Sequence, residues 1–285
     1  MKRIDTITTA WKEYELIDSG DGRKLERFGS VILDRPDPQT LWHKSAPALW
    51  VQAQAQFVWA TKGERWKIEK GVAENWSITW GEMTLGLSFK GFKHIGIFPE
   101  HGSQWDLIYK LGKRTEGLRM LNLFGYTGAA SIAGALGGMK VTHVDASKQT
   151  VQIVKENAEL SSLAPDAIRV ITEDTLKYVK RLIARGEQFE VILLDPPAFG
   201  RGPKGEVWKI EESLAELLEL IPQLLSPDAR MVILNGYAAG YSARTFGELL
   251  KGVLPKGTIC YGDVGIAQKE TDKQLSTGIY AMWTN

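Results

Sequence analysis

An apolar run meets a rigid polar corner in Val191-Ile-Leu-Leu-Asp-Pro-Pro-Ala-Phe199. The first four residues have the continuous apolar character of a strand that is buried in a parallel sheet. Asp195 follows this strand directly, and the two prolines after it fix the backbone and remove two hydrogen-bond donors. The corner is therefore predicted to hold open carbonyl oxygens beside the Phe199 ring. This suits a planar group that carries an N–H, such as a nucleobase amine, and a turn that only ends the strand is the alternative.

Strand-like and helix-like segments alternate on both sides of this run. The predicted strands are Arg119–Phe124, Lys140–Val144, Ile168–Thr172, Phe189–Leu194 and Arg230–Leu234. The predicted helices are Thr127–Leu136, Lys148–Leu160, Thr175–Arg185, Trp208–Leu225 and Ala243–Val253. This alternation indicates parallel βαβ units in a doubly wound α/β sheet. Two further runs, Thr258–Val264 and Thr277–Trp283, have no helix between them and predict an antiparallel hairpin at one edge.

The amino-terminal third of the chain differs from the rest in composition. Eight of the ten tryptophans precede residue 110, and short β-like segments such as Asn75–Trp80 are bounded by turn-forming residues. We expect a small, mostly β domain over residues 1–95 (a substrate-binding unit or a lid), a connecting segment over 96–115 and the α/β domain over 116–285. Clustered tryptophans are typical of a core, and a base-stacking surface is the alternative.

The overall composition is that of an ordinary globular protein. A net charge of +1 gives no strong field that would mark nucleic acid or membrane as a partner. The single cysteine, Cys260, excludes a disulfide scaffold, and the four histidines lack metal-ligand spacing, so no metal is expected. The chain has no signal sequence and no apolar run of the ~20 residues that span a bilayer. We therefore expect a cytoplasmic protein without a membrane partner.

Residues that follow the other strands should meet at the same edge of the sheet as the corner, because such sheets bind ligands outside the carboxyl ends of their strands. The first strand leads into Asn122-Leu-Phe-Gly-Tyr-Thr-Gly128, where Gly125 permits a tight turn. The second ends at Asp145, which lies 20 residues after Gly125 in the sequence. At about this separation an acid reaches the ribose hydroxyls in dinucleotide-binding folds. The alternative is that Asp145 or Ser147 is the N-cap of the next helix. The third leads into Glu173-Asp174, where a carboxylate can accept from an adenine amine or cap the next helix.

The glycine spacing narrows the choice of cofactor. The loop after the first strand lacks the G-x-G-x-x-G spacing that brings backbone against a pyrophosphate, and the chain has no G-x-x-x-x-G-K-[ST] loop. A cofactor with ribose and adenine but no phosphate fits better, and S-adenosylmethionine is that cofactor. A nicotinamide oxidoreductase is disfavoured by the missing glycine. A non-catalytic RNA-binding scaffold is disfavoured by the intact acids Asp145 and Asp195.

Taken together, these motifs resemble the class I S-adenosylmethionine-dependent methyltransferases over residues 118–283. The combination of Asn122–Gly128, Val144-Asp-Ala-Ser147, Asp195–Phe199 and Leu275-Ser-Thr277 resembles more specifically a less characterised branch of the bacterial 23S ribosomal RNA large-subunit methyltransferases, which act on cytosine C5 or a guanine nitrogen. The resemblance implies a seven-stranded Rossmann-like sheet with a C-terminal hairpin, S-adenosylmethionine as cofactor and ribosomal RNA as partner.

The resemblance also implies roles for individual residues. The methionine and sulfonium end of the cofactor would be lined by Phe124, Gly125, Tyr126 and Thr127. The ribose and adenine would be held by Asp145, Ala146, Ser147 and Asp174. Asp195 would border both the cofactor and the substrate. Pro196 would face the substrate, and Phe199 would stack on it.

Cytosine-C5 methylation requires a cysteine nucleophile, which those relatives carry after the fifth strand. Here that position reads Leu234-Asn-Gly-Tyr-Ala-Ala-Gly-Tyr241, without cysteine. We therefore expect direct in-line methylation of a base nitrogen in ribosomal RNA. Arg201 and Lys204 would grip phosphate, or else belong to a solvated mobile loop. The alternative function is a small-molecule or protein methyltransferase with the amino-terminal domain as a lid.

Overall fold

A computed structural model describes residues 1–60, 63–89, 93–237 and 240–285, with only the backbone at 60, 63 and 64. In chain order the strands are β1 (Lys2–Arg3), β2 (Thr6–Thr8), β3 (Tyr14–Gly20), β4 (Arg23–Phe28), β5 (Val31–Pro36), β6 (Ala55–Ala60), β7 (Gly63–Ile68), β8 (Asn75–Trp80), β9 (Met83–Ser88), β10 (Arg119–Leu123), β11 (Lys140–Asp145), β12 (Ile168–Thr172), β13 (Val191–Leu194), β14 (Phe199–Arg201), β15 (Val207–Lys209), β16 (Met231–Gly236), β17 (Thr258–Ala267) and β18 (Gln274–Thr284). The α-helices are α1 (Gly102–Arg114), α2 (Ala129–Leu136), α3 (Lys148–Leu160), α4 (Thr175–Ala184), α5 (Ile210–Leu220) and α6 (Ala243–Val253). Short 3₁₀ turns cover Pro47–Gln52, Pro99–His101 and Ile221–Leu224.

The chain divides into two compact units that are not simple consecutive segments. The α/β unit comprises Met1–Thr6, Ser103–Val264 and Gly278–Asn285. The β-rich unit comprises Ile7–Gly102 and Gly265–Thr277. A division into consecutive segments near residues 95 and 116 misses two pieces of the chain. Met1–Thr6 belong to the α/β unit, and Gly265–Thr277, which connect the two strands of the terminal hairpin, belong to the β-rich unit. The predicted connecting segment contains helix α1.

The α/β unit is built on a sheet with the strand order β12-β11-β10-β13-β16-β18-β17-β1, in which β2 also pairs with β17. Neighbours from β12 to β16 are parallel, and β18 runs antiparallel to β16. The order reverses between β10 and β13, which is the switch point of a doubly wound sheet. The predicted Rossmann-like sheet with a C-terminal hairpin is confirmed. The short strands β1 and β2 extend it beyond the predicted seven strands.

The centre of this sheet is apolar on both faces, as expected for parallel strands covered by helices. All four residues of β13 are buried, and in β10 only Arg119 is partly exposed. Some buried residues of these strands are polar, and two of them, Asn122 in β10 and His143 in β11, lie opposite each other in register. Both sit next to the predicted cofactor loop.

The region after the corner differs from the sequence prediction. The helix predicted over Trp208–Leu225 begins only at Ile210, in α5. The residues before it form the antiparallel hairpin β14–β15, in which Gly200 pairs with Trp208. The turn is made by Gly205 at φ 90°, a conformation that glycine adopts without a Cβ clash. Trp208 therefore belongs to a strand.

The β-rich unit contains the sheet β3-β4-β5-β6-β7 and the separate hairpin β8–β9, so the predicted mostly β character of this region is confirmed. The expected tryptophan core is wrong. Trp59 is 64% exposed, and the remaining tryptophans of this unit are half-buried. Several of their indole N–H groups donate hydrogen bonds, as when Trp50 donates to Asp18 Oδ2 at 2.8 Å. The core is filled by residues such as Tyr14 and Phe57.

Candidate cofactor and substrate site

The carboxyl ends of four neighbouring parallel strands bring the predicted site residues to one edge of the sheet. The Glu173 N–H donates to the Asp145 main-chain oxygen at 3.2 Å, which joins the ends of β12 and β11. The Asp195 N–H donates to the Leu123 oxygen at 3.2 Å, which joins the ends of β13 and β10. The segments predicted to hold cofactor and substrate are therefore contiguous. We call 124–128 the cofactor loop and 195–199 the corner.

The cofactor loop has an unusual backbone. Phe124 and Tyr126 have φ values of 58° and 51°, in the left-handed region that non-glycine residues rarely adopt. Such conformations cost about 1–3 kcal/mol each and cluster at functional sites. Gly128, at φ 91°, precedes the first turn of α2. The loop thus has a specific shape that its local sequence would not adopt without support from its surroundings.

A buried polar network lies beneath the loop. A Cβ on Gly125 would come within 2.4 Å of His143 Cε1, so only glycine fits there. His143 Nδ1 lies 2.9 Å from Ser131 Oγ, which accepts a hydrogen bond of 2.9 Å from Asn122 Nδ2. Burial lowers the pKa of His143 to about 3, against the opposing effect of a backbone hydrogen bond with Tyr126. A neutral, packed imidazole is therefore the floor of the loop. The sequence signal for this network is the presence of polar residues inside apolar strands.

Asp145 braces the loop from the neighbouring strand. Its Oδ2 accepts from the Tyr126 N–H at 3.0 Å, and its Oδ1 accepts from the Ser147 N–H at 2.8 Å and Thr150 Oγ1 at 2.7 Å. Ser147 is the N-cap of α3, since its Oγ accepts from the Thr150 N–H at 3.3 Å. Of the two candidates for this cap, the structure therefore selects Ser147.

The electrostatics of Asp145 suit a ligand with hydroxyl donors. Burial raises the pKa of its carboxyl above the ordinary value of 3.8, although three hydrogen bonds act to lower it. The protein's own donors therefore do not fully compensate for the lost hydration. A carboxylate has about four lone-pair positions, and these three hydrogen bonds use three of them. A ribose, which offers hydroxyl donors, fits this carboxylate.

The remaining predicted cofactor residues vary in their surroundings. Asp174 caps α4, because its Oδ1 accepts from the Lys177 N–H at 3.0 Å; the adenine role would have to use its other oxygen. Ala146 is half-buried. Thr127 is only 2% exposed, and its main-chain oxygen accepts from Asn157 Nδ2 at 3.0 Å, so it lies below the loop surface.

In the corner, Asp195 is half-buried, Pro196 is buried and the Phe199 ring is 55% exposed. The expectation that its carbonyls are open is wrong for two of them. The Pro197 oxygen accepts from Trp208 Nε1 at 2.7 Å, and the Ala198 oxygen accepts from the main chain at the start of α5. Within the described part of the chain, no hydrogen bond reaches the Pro196 carbonyl. The hairpin folds back over the corner and leaves this one acceptor.

The β14–β15 hairpin carries the side chains nearest the corner in sequence. The Arg201 guanidinium lies 5.9 Å from the centre of the Phe199 ring, and Lys204 is exposed near the turn. Lys177 on α4 forms an ion pair with Glu206. This ion pair, together with two backbone donors, lowers the pKa of Glu206 to about 2. The hairpin is thus tied to a helix at its tip.

The structure also shows where the single cysteine lies and what occupies the end of β16, the places where a cysteine nucleophile was considered. Cys260 lies in β17, beside Lys2 of β1, with β18 and β16 between it and β13. Asn235, at the end of β16, exchanges two hydrogen bonds of 2.8 and 2.9 Å with Gln104 of α1. Residues 238 and 239 of the segment after β16 lie outside the described residues. No cluster of three potential metal ligands occurs in the described residues.

A reversed strand order with an acid and a shaped loop at the switch point defines a nucleoside-binding α/β protein of the Rossmann-like class. Among the helices that the structure describes, none is long and apolar enough to cross a bilayer.

Comparison with known proteins narrows this class. Residues 106–235 match a family described as "Conserved hypothetical protein 95". The chain is 34% identical over 151 residues to a ribosomal RNA large subunit methyltransferase K/L of Shewanella oneidensis, which covers 52% of this chain. That match covers 20% of the relative, so the chain spans about a fifth of the length of such relatives.

Solved structures match along nearly the whole chain. A SAM-dependent methyltransferase from Agrobacterium tumefaciens is 34% identical, with a TM-score of 0.94, over 99% of this chain and 93% of that one. SMU.776, a putative methyltransferase complexed with SAH, shares the fold at 17% identity and a TM-score of 0.76, over 98% of this chain and 76% of its own. The chain belongs to the S-adenosylmethionine-dependent methyltransferases. Its cofactor is S-adenosylmethionine, and the Asp145 carboxylate, which accepts hydrogen bonds, is compatible with the ribose hydroxyls of that cofactor.

Proposed function

We propose that this methyltransferase acts on a base nitrogen in ribosomal RNA by direct in-line transfer, with no covalent enzyme–base intermediate. The observation that carries the proposal is the corner, which follows β13 and combines the acceptors of Asp195 and Pro196 with the exposed ring of Phe199. The corner adjoins the cofactor loop through the hydrogen bond between Asp195 and Leu123. Donor and acceptor of the methyl group would thus meet between two neighbouring strand ends.

On the cofactor side, Asp145 would hold the ribose, with Ala146 and Ser147 beside the adenine and Asp174 facing its amine. Phe124 to Thr127 would line the methionine end. S-adenosylmethionine supplies an electrophilic methyl group on its sulfonium. The strained loop would fix the direction in which that group points, and alignment is the main requirement of an in-line transfer.

On the substrate side, the Pro196 carbonyl and the Asp195 carboxylate would accept hydrogen bonds from an N–H group. Binding the amine hydrogens in this way turns the nitrogen lone pair toward the methyl. As the nitrogen–carbon bond forms, the sulfur–carbon bond would break with loss of S-adenosylhomocysteine, and the Asp195 carboxylate would take up the proton that the nitrogen releases. The Phe199 ring would stack on the flat face of the base, which would have to be unstacked from the RNA to reach it. Cysteine-dependent chemistry is not part of this proposal, because Cys260 lies in β17, which is separated from β13 by the two strands β18 and β16.

An RNA substrate is supported by the hairpin beside the corner. Arg201 and Lys204 are exposed and would contact phosphates, while Phe199 contacts a base. The relative from Shewanella oneidensis carries ribosomal RNA in its name. An enzyme that methylates ribosomal RNA would act in the cytoplasm.

The alternative function is that of a small-molecule or protein methyltransferase with the β-rich unit as a lid. The net charge of only +1 favours this alternative.

The test is transfer of labelled methyl groups from S-adenosylmethionine. Ribosomal RNA from a strain that lacks this protein is incubated with the enzyme, and the nucleosides are identified by mass spectrometry after digestion. We expect one methylated base that carries the label on nitrogen. Label on carbon C5 would contradict the nitrogen assignment. A parallel incubation uses a whole-cell extract of the same strain, and label found only in its proteins or small molecules would support the alternative function.

A further inference from the structure

Trp208 touches both halves of the candidate site. Its ring centre lies 4.7 Å from that of Phe124 in the cofactor loop, with an interplanar angle of 57°. Its indole N–H donates to the Pro197 carbonyl of the corner at 2.7 Å. Only 5% of the residue is exposed, so the contacts are made in a packed environment. One side chain therefore joins the two segments by packing on one side and a hydrogen bond on the other.

Both partners of this contact, Phe124 and Trp208, are held in place by their own surroundings. Phe124 has a left-handed backbone, so the direction of its ring follows the shape of the loop. On the other side, Trp208 is held by its pairing with Gly200 in the hairpin. The ion pair between Lys177 and Glu206 holds the tip of the hairpin on α4. A change in the loop would therefore be passed on to the hairpin and the corner.

We propose that Trp208 is a positioning residue that couples cofactor binding at the loop to the geometry of the corner and of the hairpin 199–209. The inference rests on the proposed location of the cofactor along the loop. A bound cofactor fixes Phe124, the fixed ring orders the indole, and the indole holds the corner so that the Pro196 carbonyl is aimed. Because such coupling is reciprocal, substrate at the corner also tightens the binding of cofactor.

The experiment measures hydrogen exchange with and without saturating S-adenosylhomocysteine, a probe that needs no substrate. Trp208→Phe keeps a ring against Phe124 and removes the indole N–H. Trp283→Phe is the matched control, since Trp283 is 2% exposed and donates to the Pro255 oxygen at 3.0 Å in the terminal hairpin. Calorimetry gives the dissociation constant of each variant for the same probe.

In the parent protein and in Trp283→Phe, the probe should slow exchange of amides in the cofactor loop and in the hairpin 199–209. In Trp208→Phe the loop should still be protected and the dissociation constant should stay within about threefold. Protection of the hairpin should fall by about fivefold, the size expected for one neutral hydrogen bond. Phe124→Leu, which removes the ring contact from the other side, should lose hairpin protection as well at saturating probe.

Two results would overturn the coupling: hairpin protection that is absent in the parent protein, or protection that persists in both Trp208→Phe and Phe124→Leu. These failures are distinct from failure of the proposed function. Protection of the loop without the hairpin removes only the role of Trp208. Binding by calorimetry without protection of the loop removes the proposed cofactor location, and the coupling with it. Comparable far-ultraviolet circular dichroism of the variants excludes a folding defect as the cause.

Discussion

The cofactor loop and the corner follow adjacent strands, β10 and β13, yet they are shaped by different means. The loop is held from within a short distance, by its own left-handed backbone, by the packing of Gly125 on His143 and by the carboxylate of Asp145. The corner is held by a side chain from the following hairpin, Trp208. The comparison indicates a cofactor end with a fixed shape and a substrate end whose shape depends on a separate element.

The largest effect should come from the corner itself. Asp195→Ala should lower the single-turnover rate of methyl transfer by at least about 100-fold, the scale for losing one positioned polar group in a reaction centre. The calorimetric dissociation constant for S-adenosylhomocysteine should stay within about threefold. Asp228→Ala, at an exposed acid outside the site, is the control. A fully active Asp195→Ala would refute the assignment of this residue.

A large effect on cofactor binding should follow from loss of the Asp145 carboxylate, which holds the cofactor loop. Asp145→Ala should weaken the binding of S-adenosylhomocysteine by about 10- to 100-fold, because it removes hydrogen bonds to a charged group. Calorimetry measures this change, and unchanged affinity would remove Asp145 from the ribose.

The same carboxylate predicts a pH dependence with a defined sign. Burial raises the pKa of Asp145 above 3.8, and ribose hydroxyls that donate to the ionised form would lower it again on binding. Binding should therefore release protons, and affinity should decrease as the pH falls toward the raised pKa. Calorimetry in two buffers of different ionisation enthalpy measures the release. Asp145→Asn should bind without this pH dependence, and a parent protein that binds more tightly at acidic pH would contradict the account.

An intermediate effect is expected from the floor of the loop. Gly125→Ala would place a methyl group 2.4 Å from His143 Cε1, so the loop must shift. Overpacking of this kind costs about 1–3 kcal/mol, and cofactor affinity should fall about tenfold with it. Gly252→Ala in α6, where the added carbon meets no neighbouring side chain, should leave cofactor affinity unchanged and should raise the free energy of unfolding by up to about 1 kcal/mol. Equal behaviour of the two variants by denaturant unfolding and calorimetry would argue against a shape-determined loop.

The smallest effect should come from the tip of the hairpin. Glu206→Gln removes the ion pair with Lys177, whose side chain is 54% exposed. Exposed pairs contribute little, so the KM for RNA should rise only about twofold, with kcat and the thermal unfolding midpoint unchanged. A loss of activity as large as that of Asp195→Ala would mean that the hairpin, rather than the corner, carries the chemistry.

The sequence was sufficient to predict which strand ends meet at the candidate site. The apolar runs predict the strands. The rule that ligands bind at the carboxyl ends of the strands then predicts that Asp145 and Asp195 lie near each other, without knowledge of side-chain contacts. Glycine at 125 and polar residues at 122 and 143 mark the loop and its floor, although the packing between them was visible only in the structure.

The hairpin and the sheet edge could not be predicted in the same way. Trp208 stands next to a helical pattern, and what makes it part of a strand is a hydrogen bond to Pro197 and pairing across a glycine turn. Strand β1 pairs with Cys260 and Tyr261 at the opposite end of the chain, a contact that no local pattern encodes. The tryptophans of the β-rich unit were misassigned because a large ring with a polar N–H suits a rim as well as a core.

A crystal structure with S-adenosylhomocysteine would test the central claim most directly. The account predicts the ligand across the carboxyl ends of β10, β11 and β13, with its ribose hydroxyls on the Asp145 carboxylate and its sulfur turned toward Asp195. A ligand elsewhere on the chain, or one whose sulfur points away from the corner, would contradict it.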